Sequence, residues 1–482
     1  YGHVSQLVDA GVDYVFMPSM HTIRHIKSKV RHNYACPYMQ VAPRLVADAL
    51  DFEGRGITLI SPLMDMDFGQ QALATALLGV GASLGFTPQE SAKAMLAGGF
   101  AVQEFTRKTE EQGEQLLASL APGERVLVII TRQYGISDPA LNMGIPDALL
   151  DRGQKVITVS HLHAHDLDIS VDHPDMYWPF GQHMLSGAKL VRRDPRLFAV
   201  YLTNHGCGPD TMVSHLFAEE MGDKPYLQIE MDEHFSQVGV ITRIEAFLNS
   251  IDHWQSKDER ALPYALHPRG LNMGAARLGE VCVLPQIGAF GQLAGEWLRS
   301  RGLDVAPVRH TAESFKLGQR ELSSKECYSF TSLLGMALSA ANELACAPDS
   351  EGIAGCDAAG APRRVRLLLP SSVGSDADGQ YVRTIRSVLD AKGFADVGIS
   401  APKLERLPWE VADACGLLCA LIAGDVVLTA APAARAQLLS DASAAARCGA
   451  LDETFLMSLA ARAAASWAGA APRATLALVG EW

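Results

Sequence analysis

The sequence has few positive charges for its length and no long apolar run. Its 482 residues include 41 Lys and Arg against 54 Asp and Glu, which gives a formal net charge of −13. A general nucleic-acid-binding surface needs a concentrated basic stripe, and the sequence has none, so DNA and RNA are not expected partners. No run of about 20 apolar residues is present, and therefore no membrane-spanning helix is expected.

Signals of secretion and of nucleotide binding are also missing. The sequence opens without a charged-then-apolar leader, and nine cysteines without such a signal indicate reduced thiols, metal ligands or core packing before disulfides. The expected compartment is the cytoplasm. No Gly-x4-Gly-Lys-Ser/Thr or Gly-x-Gly-x-x-Gly loop stands out, so we assign no ATP site to these residues.

Short apolar runs that alternate with helical patterns are plentiful. This order is typical of α/β proteins with parallel sheets. We predict two tandem Rossmann-like units with parallel sheets and an alanine-rich helical C-terminal region. The first unit is expected at residues 1–253, a linker at 254–270, where prolines and charges interrupt the pattern, and the second unit at 271–482. Thr87-Pro88-Gln89-Glu90 predicts a capping box at the start of a long helix.

The clearest chemical signal is the motif Asn204-His-Gly-Cys-Gly-Pro-Asp210. It follows the apolar run 197–202 and precedes helical spacing over 211–221, which predicts a strand, a glycine-flanked turn and a helix. Cys207 is then expected at the carboxyl end of the strand, where open α/β sheets bind ligands. The flanking glycines allow a bulky group to approach the sulfur. A buried free cysteine in a tight turn is the alternative, and the motif alone leaves both open.

Two further strand-end or loop residues are candidates. Cys36 precedes Pro37, which favours an extended backbone and a thiol presented from a loop. Arg132 follows the predicted strand 125–130 and is expected either to bind an anionic substrate group or to pair with a carboxylate.

Carboxylates also follow the predicted strand 225–231. Glu230 and Asp232 are weak candidates for a proton donor or base. Helix capping and pairing with Arg243 is the equally supported alternative.

A histidine-rich segment follows the strand at 155–159. Alternate histidines on a strand share one face, but a zinc site needs three or four fixed ligands, and nothing in the segment supplies that geometry. We therefore favour a polar loop over a metal site for His161, His163, His165, Asp166, Asp168 and His173.

Three segments together resemble a known family: Asn204–Asp210, Gln228–His234 and Gly239–Phe247. They are similar to the iron-sulfur part of acyl-CoA dehydratase activase-related proteins, in the 2-hydroxyacyl-CoA dehydratase and benzoyl-CoA reductase superfamily. The resemblance covers most of residues 1–250. It implies a fragment without the ATPase domain, whose missing beginning would contain a third cysteine before Tyr1.

The resemblance also implies the cofactor and its ligands. Each unit would contribute three cysteines to a [4Fe-4S] or double-cubane cluster, with Cys36 and Cys207 as two ligands of the first unit. Ser324-Lys-Glu-Cys327 resembles the family's Gly-Lys-Glu-Cys motif and makes Cys327 the candidate of the second unit. The family's Cys-Gly-Pro-Cys is replaced by a segment with Asp376, a harder ligand than thiolate, so the second motif is degenerate.

The implied function is low-potential electron transfer from an ATP-hydrolysing activase domain or subunit to an acyl-CoA or another hard-to-reduce acceptor. The resemblance leaves room for an oligomer and does not decide whether the chain itself is an enzyme. Two other classes stay open. One is a small-molecule enzyme with Cys207 as nucleophile, assisted by His205 or His234, which would react with thiol reagents and contain no iron. The other is a regulatory or interaction domain that has lost its cluster.

Overall fold

The structure is a computed structural model that describes residues 1–23, 29, 33–204, 206–232, 236–254, 280–286, 288–322, 326–345, 364–369, 371, 374–401 and 411–467. Its contacts divide the chain into two compact units. One comprises Tyr1–Pro263 with Gly374–Ala377, and the other comprises Tyr264–Val373 with Asp378–Trp482. Apart from Trp254, the linker predicted at 254–270 lies outside the described residues, and its bounds stay a prediction.

The first unit opens with two short parallel strand pairs. β1 pairs with β3, and β2 pairs with β4. Between the two pairs the Ser19 N–H donates to the Pro62 carbonyl at 3.0 Å. Proline lacks an N–H, so it interrupts a ladder at this point. A small core of Val8, Val15, Ala47 and Phe52 lies beneath the helices. The elements are α1 Gly2–Asp9, β1 Tyr14–Phe16, β2 Ser19–Thr22, α2 Pro37–Ala49, α3 Phe52–Arg55, β3 Thr58–Ile60 and β4 Leu63–Asp65.

A helical hairpin follows, made of α4 Gln70–Ser83 and α5 Pro88–Ala118. The predicted capping box is confirmed: the Thr87 N–H donates to Glu90 Oε2 at 2.9 Å, and the Glu90 N–H donates to Thr87 Oγ1 at 3.3 Å. Only Ser91 and Gly113 are buried among the 31 residues of α5, and no residue of α4 is buried. Most of the hairpin therefore faces solvent.

A four-stranded parallel sheet forms the centre of the first unit, in the order β6-β5-β7-β8. Every residue of β5 and β7 is buried, as expected for continuous apolar strands covered on both faces. The strand order reverses between β5 and β7, which opens a crevice at their carboxyl ends. The elements are β5 Val126–Ile130, α6 Gln133–Ser137, α7 Ile145–Leu150, β6 Lys155–Thr158, α8 Pro179–Arg193, β7 Leu197–Thr203, α9 Gly208–Met221, β8 Leu227–Glu230 and α10 Gln237–Asp252.

The second unit repeats this strand order. Its parallel sheet has the order β10-β9-β11-β12, so in both units the second strand in sequence lies at an edge and the first lies beside the third. The prediction of two tandem parallel-sheet units is confirmed. The elements are β9 Glu280–Pro285, α11 Gly288–Ser300, β10 Val305–Val308, α12 Ala312–Arg320, α13 Tyr328–Ala345, β11 Arg364–Leu368, α14 Asp378–Ala391 and β12 Gly398–Ser400.

The alanine-rich region is helical, as predicted. α15 Val411–Thr429, α16 Pro432–Arg447 and α17 Glu453–Ala465 pack with α11 around a core that includes Leu293, Trp297, Ala423, Leu438 and Leu459. None of the helices in the described ranges combines the length and the apolar character that crossing a membrane requires.

Candidate functional site

Cys207 lies where the sequence predicts it, between β7 and α9. The turn is closed by the Cys207 N–H, which donates to the Asn204 carbonyl at 2.9 Å, and by the Gly206 N–H, which donates to Asn204 Oδ1 at 3.0 Å. This Asx-type turn directs the chain from the strand into the helix. Cys207 is the N-cap residue of α9 and is half-buried. The thiol therefore lies at the carboxyl edge of the sheet, beside the strand-order reversal; His205 is outside the described residues.

Arg132 follows the neighbouring strand β5 and contacts the same thiol. Its Nη2 lies 3.0 Å from Cys207 Sγ, and its Nε donates to Asp210 Oδ1 at 2.8 Å. The guanidinium carbon lies 3.8 Å from the centroid of the Phe180 ring. Only 11% of the Arg132 side chain is exposed. Of the two predicted roles, pairing with a carboxylate is the one observed, and the contact with sulfur adds a third.

Asp210 fixes this arrangement from the first turn of α9. Its Oδ2 accepts the Asn204 N–H at 3.1 Å while Oδ1 accepts from Arg132. Its side chain is 4% exposed, so the ion pair is buried and needs these hydrogen bonds. We did not single out Asp210 from the sequence. The sequence feature that points to Asp210 is its place at the end of the Cys207 motif, in the first turn of a helix, where carboxylates are favoured.

Cys36 precedes α2 and belongs to the same neighbourhood. It is buried, and its backbone is extended (φ −64°, ψ 156°), as the following proline predicts. The loop before it packs on the start of α8: Gln182 Nε2 donates to Asn33 Oδ1 at 3.2 Å, and the Tyr34 ring meets the Tyr177 ring edge-on at 6.3 Å. This brings the Cys36 loop to the helix whose first turn contains Phe180.

The electrostatics of the thiols show the same proximity. Burial raises the pKa of Cys207; the Arg132 charge opposes this, while Asp210 and the nearby Cys36 thiol add to it. Burial also raises the pKa of Tyr134, again opposed by Arg132 and assisted by both cysteines. The Cys36 thiol is thus close enough to contribute to the raised pKa of Cys207, and Arg132 lies against the Cys207 sulfur.

Cys327 lies in the second unit and has a different set of neighbours. It directly precedes α13, and its sulfur is 2.9 Å from the Tyr381 hydroxyl and 3.3 Å from Ser329 Oγ. The Tyr381 ring packs on Phe330, with 4.7 Å between ring centroids. The position at a helix start agrees with the sequence pattern, but Ser324 and Lys325 of the motif are outside the described residues.

The carboxylates Glu230 and Asp232 lie at and after the end of edge strand β8, and both are half-buried. Ser236 is the N-cap of α10, and its hydroxyl accepts the Gly239 N–H at 3.4 Å. Arg243 donates to the Gln228 carbonyl at 2.5 Å. Asp376 accepts the Ala377 N–H at 2.6 Å.

The histidine-rich segment has partners of its own. His161 Nδ1 accepts the Thr158 N–H at 3.2 Å, and burial lowers the pKa of His161. His163 Nε2 lies 2.7 Å from Glu114 Oε1, and His173 Nε2 lies 2.5 Å from Glu220 Oε1 inside the protein. Each of these three rings is thus oriented by a different protein group.

The site was tested against an iron-sulfur cluster, the group implied by the sequence resemblance. A [4Fe-4S] cluster normally takes three or four thiolates, and Cys36 and Cys207 are the two thiols of this neighbourhood. Within the part of the chain that the structure describes, no three Cys, His, Asp or Glu side chains are arranged to hold a metal ion. The described residues therefore do not form a complete cluster ligand set.

Comparison with known proteins gives one match. Residues 1–162 match the family model described as the CoA enzyme activase uncharacterised domain. No curated protein and no solved structure matches the chain. The match supports the activase family for about the first third of the chain, which includes Cys36 and Arg132 and ends before Cys207.

Proposed function

We propose that this chain is an electron-transfer component of a CoA dehydratase activase system and that Cys36 and Cys207 are ligands of its iron-sulfur cluster. One observation supports this most. Cys207 lies at the strand-order reversal with a buried arginine against its sulfur, and the Cys36 thiol, far away in sequence, is close enough to contribute to its raised pKa. The activase-domain match over residues 1–162 agrees with the system proposed.

The chemistry of the site suits a bound, negatively charged cluster. Metal binding displaces the thiol protons, so the raised pKa of Cys207 describes the metal-free protein and does not prevent coordination. Arg132 then supplies a positive charge and an N–H toward the ligand sulfur, which favours the reduced state of a cluster. Phe180 covers one face of the guanidinium and keeps water from it.

A bound cluster would supply low-potential one-electron transfer. The proposed electron donor is an ATP-hydrolysing activase domain or subunit, and the proposed acceptor is an acyl-CoA thioester or a similarly hard-to-reduce group. Cys327 is the proposed ligand of the second unit, while Glu230 and Asp232 remain candidate proton-transfer groups. The proposed cluster is of the [4Fe-4S] or the double-cubane type. The proposed compartment is the cytoplasm, where thiols are kept reduced.

The test is anaerobic reconstitution of the full chain with iron and sulfide, followed by metal counting and EPR of the reduced sample. We expect Cys36→Ser and Cys207→Ser each to lose most of the iron and the signal. Cys448→Ser removes an exposed thiol and serves as the matched control, so its iron content should equal that of the wild type. A folded wild-type protein that binds no iron would overturn the proposal.

A thiol nucleophile at Cys207 is the second candidate, favoured by the 3.0 Å contact between Arg132 Nη2 and Cys207 Sγ. Its proposed bases, His205 and His234, are outside the described residues. Alkylation of Cys207 that abolishes turnover of an iron-free protein would support this candidate against the cluster. A cluster-free regulatory domain would show neither iron nor turnover.

A further inference from the structure

We propose that an open cleft between α5 and α8 binds the carboxylate of a small organic acid, whose apolar chain packs on the walls of the cleft. The cleft has a volume of about 570 Å³, which is within the range of small-molecule sites. Its apolar walls come from Leu117, Leu162, Leu190, Pro195 and Leu197. The proposal assigns a second site and does not depend on the cluster.

The cleft is separate from the Cys207 neighbourhood. It is lined by Leu190 and Arg193 near the end of α8, whereas Phe180, which contacts Arg132, lies in the first turn of that helix. At about 1.5 Å per residue, Phe180 and Arg193 are about 20 Å apart along the helix axis. A small ligand in the cleft therefore does not touch the Cys207 sulfur.

His161 presents a hydrogen-bond donor to the cleft. Its Nδ1 accepts the Thr158 N–H at 3.2 Å, and burial lowers the pKa of His161, so the neutral ring has its proton on Nε2. Among the described residues, none accepts a hydrogen bond from this nitrogen. A Cβ added at Gly113 of α5 would lie 2.0 Å from the His161 carbonyl oxygen, so the helix fixes the backbone that carries the ring.

Four other ionisable side chains that line the cleft pair with one another. Arg196 donates to both oxygens of Asp194, at 3.0 and 2.7 Å. His163 Nε2 lies 2.7 Å from Glu114 Oε1. The carboxylates of the cleft thus each have a partner, and Arg193 is the cation that they leave over.

The ends of α5 and α8 lie at the cleft, and their last carbonyls have cations of their own. Arg196 Nη1 donates to the Leu117 carbonyl at 3.1 Å, and Lys224 Nζ donates to the Val191 carbonyl at 2.6 Å. Arg193 is the last residue of α8 and is exposed, and in the described part of the chain its side chain has neither a hydrogen-bond nor an ion-pair partner. Its guanidinium is therefore available to a ligand.

These donors and walls together select the class of ligand. A carboxylate is planar and matches one guanidinium in two parallel hydrogen bonds, or accepts one from Arg193 and one from the His161 ring. A phosphate group carries up to two negative charges and has three acceptor oxygens, which the single unpaired cation and one N–H do not match. The apolar walls favour an alkyl or aryl chain behind the carboxylate, because its burial removes apolar surface from water.

The test is isothermal titration calorimetry of the metal-free full chain with hexanoate, and with hexanol as the uncharged ligand of equal length. We expect hexanoate to bind with a dissociation constant of about 1 mM or below, and hexanol at least about tenfold more weakly. Arg193→Gln should weaken hexanoate binding about tenfold, and His161→Leu about threefold or more, because each removes a donor to the carboxylate.

Arg107→Gln is the matched control, because Arg107 is a 52% exposed arginine of α5 outside the cleft lining, and its affinity for hexanoate should equal that of the wild type. Circular dichroism checks that each variant is folded. The proposal is overturned by a wild type that gives no saturable heat with hexanoate up to about 10 mM, or by hexanol that binds as tightly as hexanoate. Unchanged binding in Arg193→Gln or His161→Leu, or an equal loss in Arg107→Gln, would also overturn it.

Discussion

Arg132 Nη2 and Cys207 Sγ lie 3.0 Å apart, although the two residues belong to different strand ends and are distant in sequence. The contact exists because β5 and β7 are neighbours in the sheet and both point their carboxyl ends at the same crevice. Asp210 completes the group by accepting from Arg132 Nε. The site thus combines a thiol with a buried ion pair.

The first prediction concerns this buried pair. Arg132→Gln leaves the Asp210 carboxylate buried without its cation, and we expect a loss of about 3 kcal/mol or more in the free energy of unfolding. Urea denaturation of the metal-free protein measures it. Arg107→Gln removes an exposed arginine that pairs with Glu104 on α5, and it should change the urea midpoint of unfolding little. Equal, small effects of the two substitutions would contradict a structural role for the Arg132–Asp210 pair.

A second prediction concerns pH. Burial lowers the pKa of Lys224 from 10.5 to about 8, partly opposed by Asp194. An unfolded chain keeps this lysine protonated up to its ordinary pKa, so between pH 8 and 10.5 the unfolded state binds more protons than the folded state. The free energy of unfolding should therefore rise with pH in this window, by at most about 1.4 kcal/mol per pH unit.

Lys224→Met isolates this contribution, because the other titrating groups stay in place. Urea denaturation at several pH values should show a smaller rise for the variant than for the wild type. Parallel curves for the two proteins would show that Lys224 is not the group responsible.

The third prediction concerns the buried pair of His173 and Glu220, whose side chains are each 1% exposed. Lys189 is 3.8 Å from the same carboxylate. His173→Ala removes one member of this network, and we expect the free energy of unfolding to fall by about 3 kcal/mol. His163→Ala, at a pair whose histidine is 45% exposed, should cost less than about 1 kcal/mol. Urea denaturation should show the larger loss of unfolding free energy for His173→Ala. An equal or larger loss for His163→Ala would contradict the prediction.

Two glycines of α5 provide the fourth prediction. A Cβ at Gly113 would lie 2.0 Å from the His161 carbonyl oxygen, whereas a Cβ at Gly98 would meet nothing within 4 Å. Gly113→Ala should therefore destabilise the protein by about 1–3 kcal/mol through steric conflict. Gly98→Ala should stabilise it by about 0.5–1 kcal/mol, because alanine favours the helix. Thermal unfolding of the two variants should shift in opposite directions.

Local features of the fold were predictable from the sequence. β7 spans Leu197–Thr203 and contains the predicted strand 197–202, because its apolar run is continuous. The cap of α5 was predictable because its hydrogen bonds join Thr87 and Glu90, which lie only three residues apart in the sequence. The position of Cys207 followed from the glycines and the strand beside it.

Contacts set by strand order were not predictable in the same way. The sequence around Arg132 does not indicate that β5 lies beside β7. The pairing of Arg132 with Asp210 could therefore be identified only from the strand order of the sheet. The same is true of Cys36, whose nearness to Cys207 depends on the loop packing against α8. For Glu230 and Asp232, proton transfer and helix capping both stay predictions, and the observed N-cap of α10 is Ser236.

Both sheets wind in the same order, yet their strand ends differ in chemistry. After the first strand of each sheet the chain has Arg132 in one unit and Gln286 in the other, and Gln286 accepts from Arg309 at 3.1 Å. Before the helix that follows the third strand of each sheet, the chain has Cys207 in one case and Asp376 and Ala377 in the other. The same strand order therefore positions two different sets of side chains, and the presence of the thiol and cation at one sheet does not imply a second such group at the other.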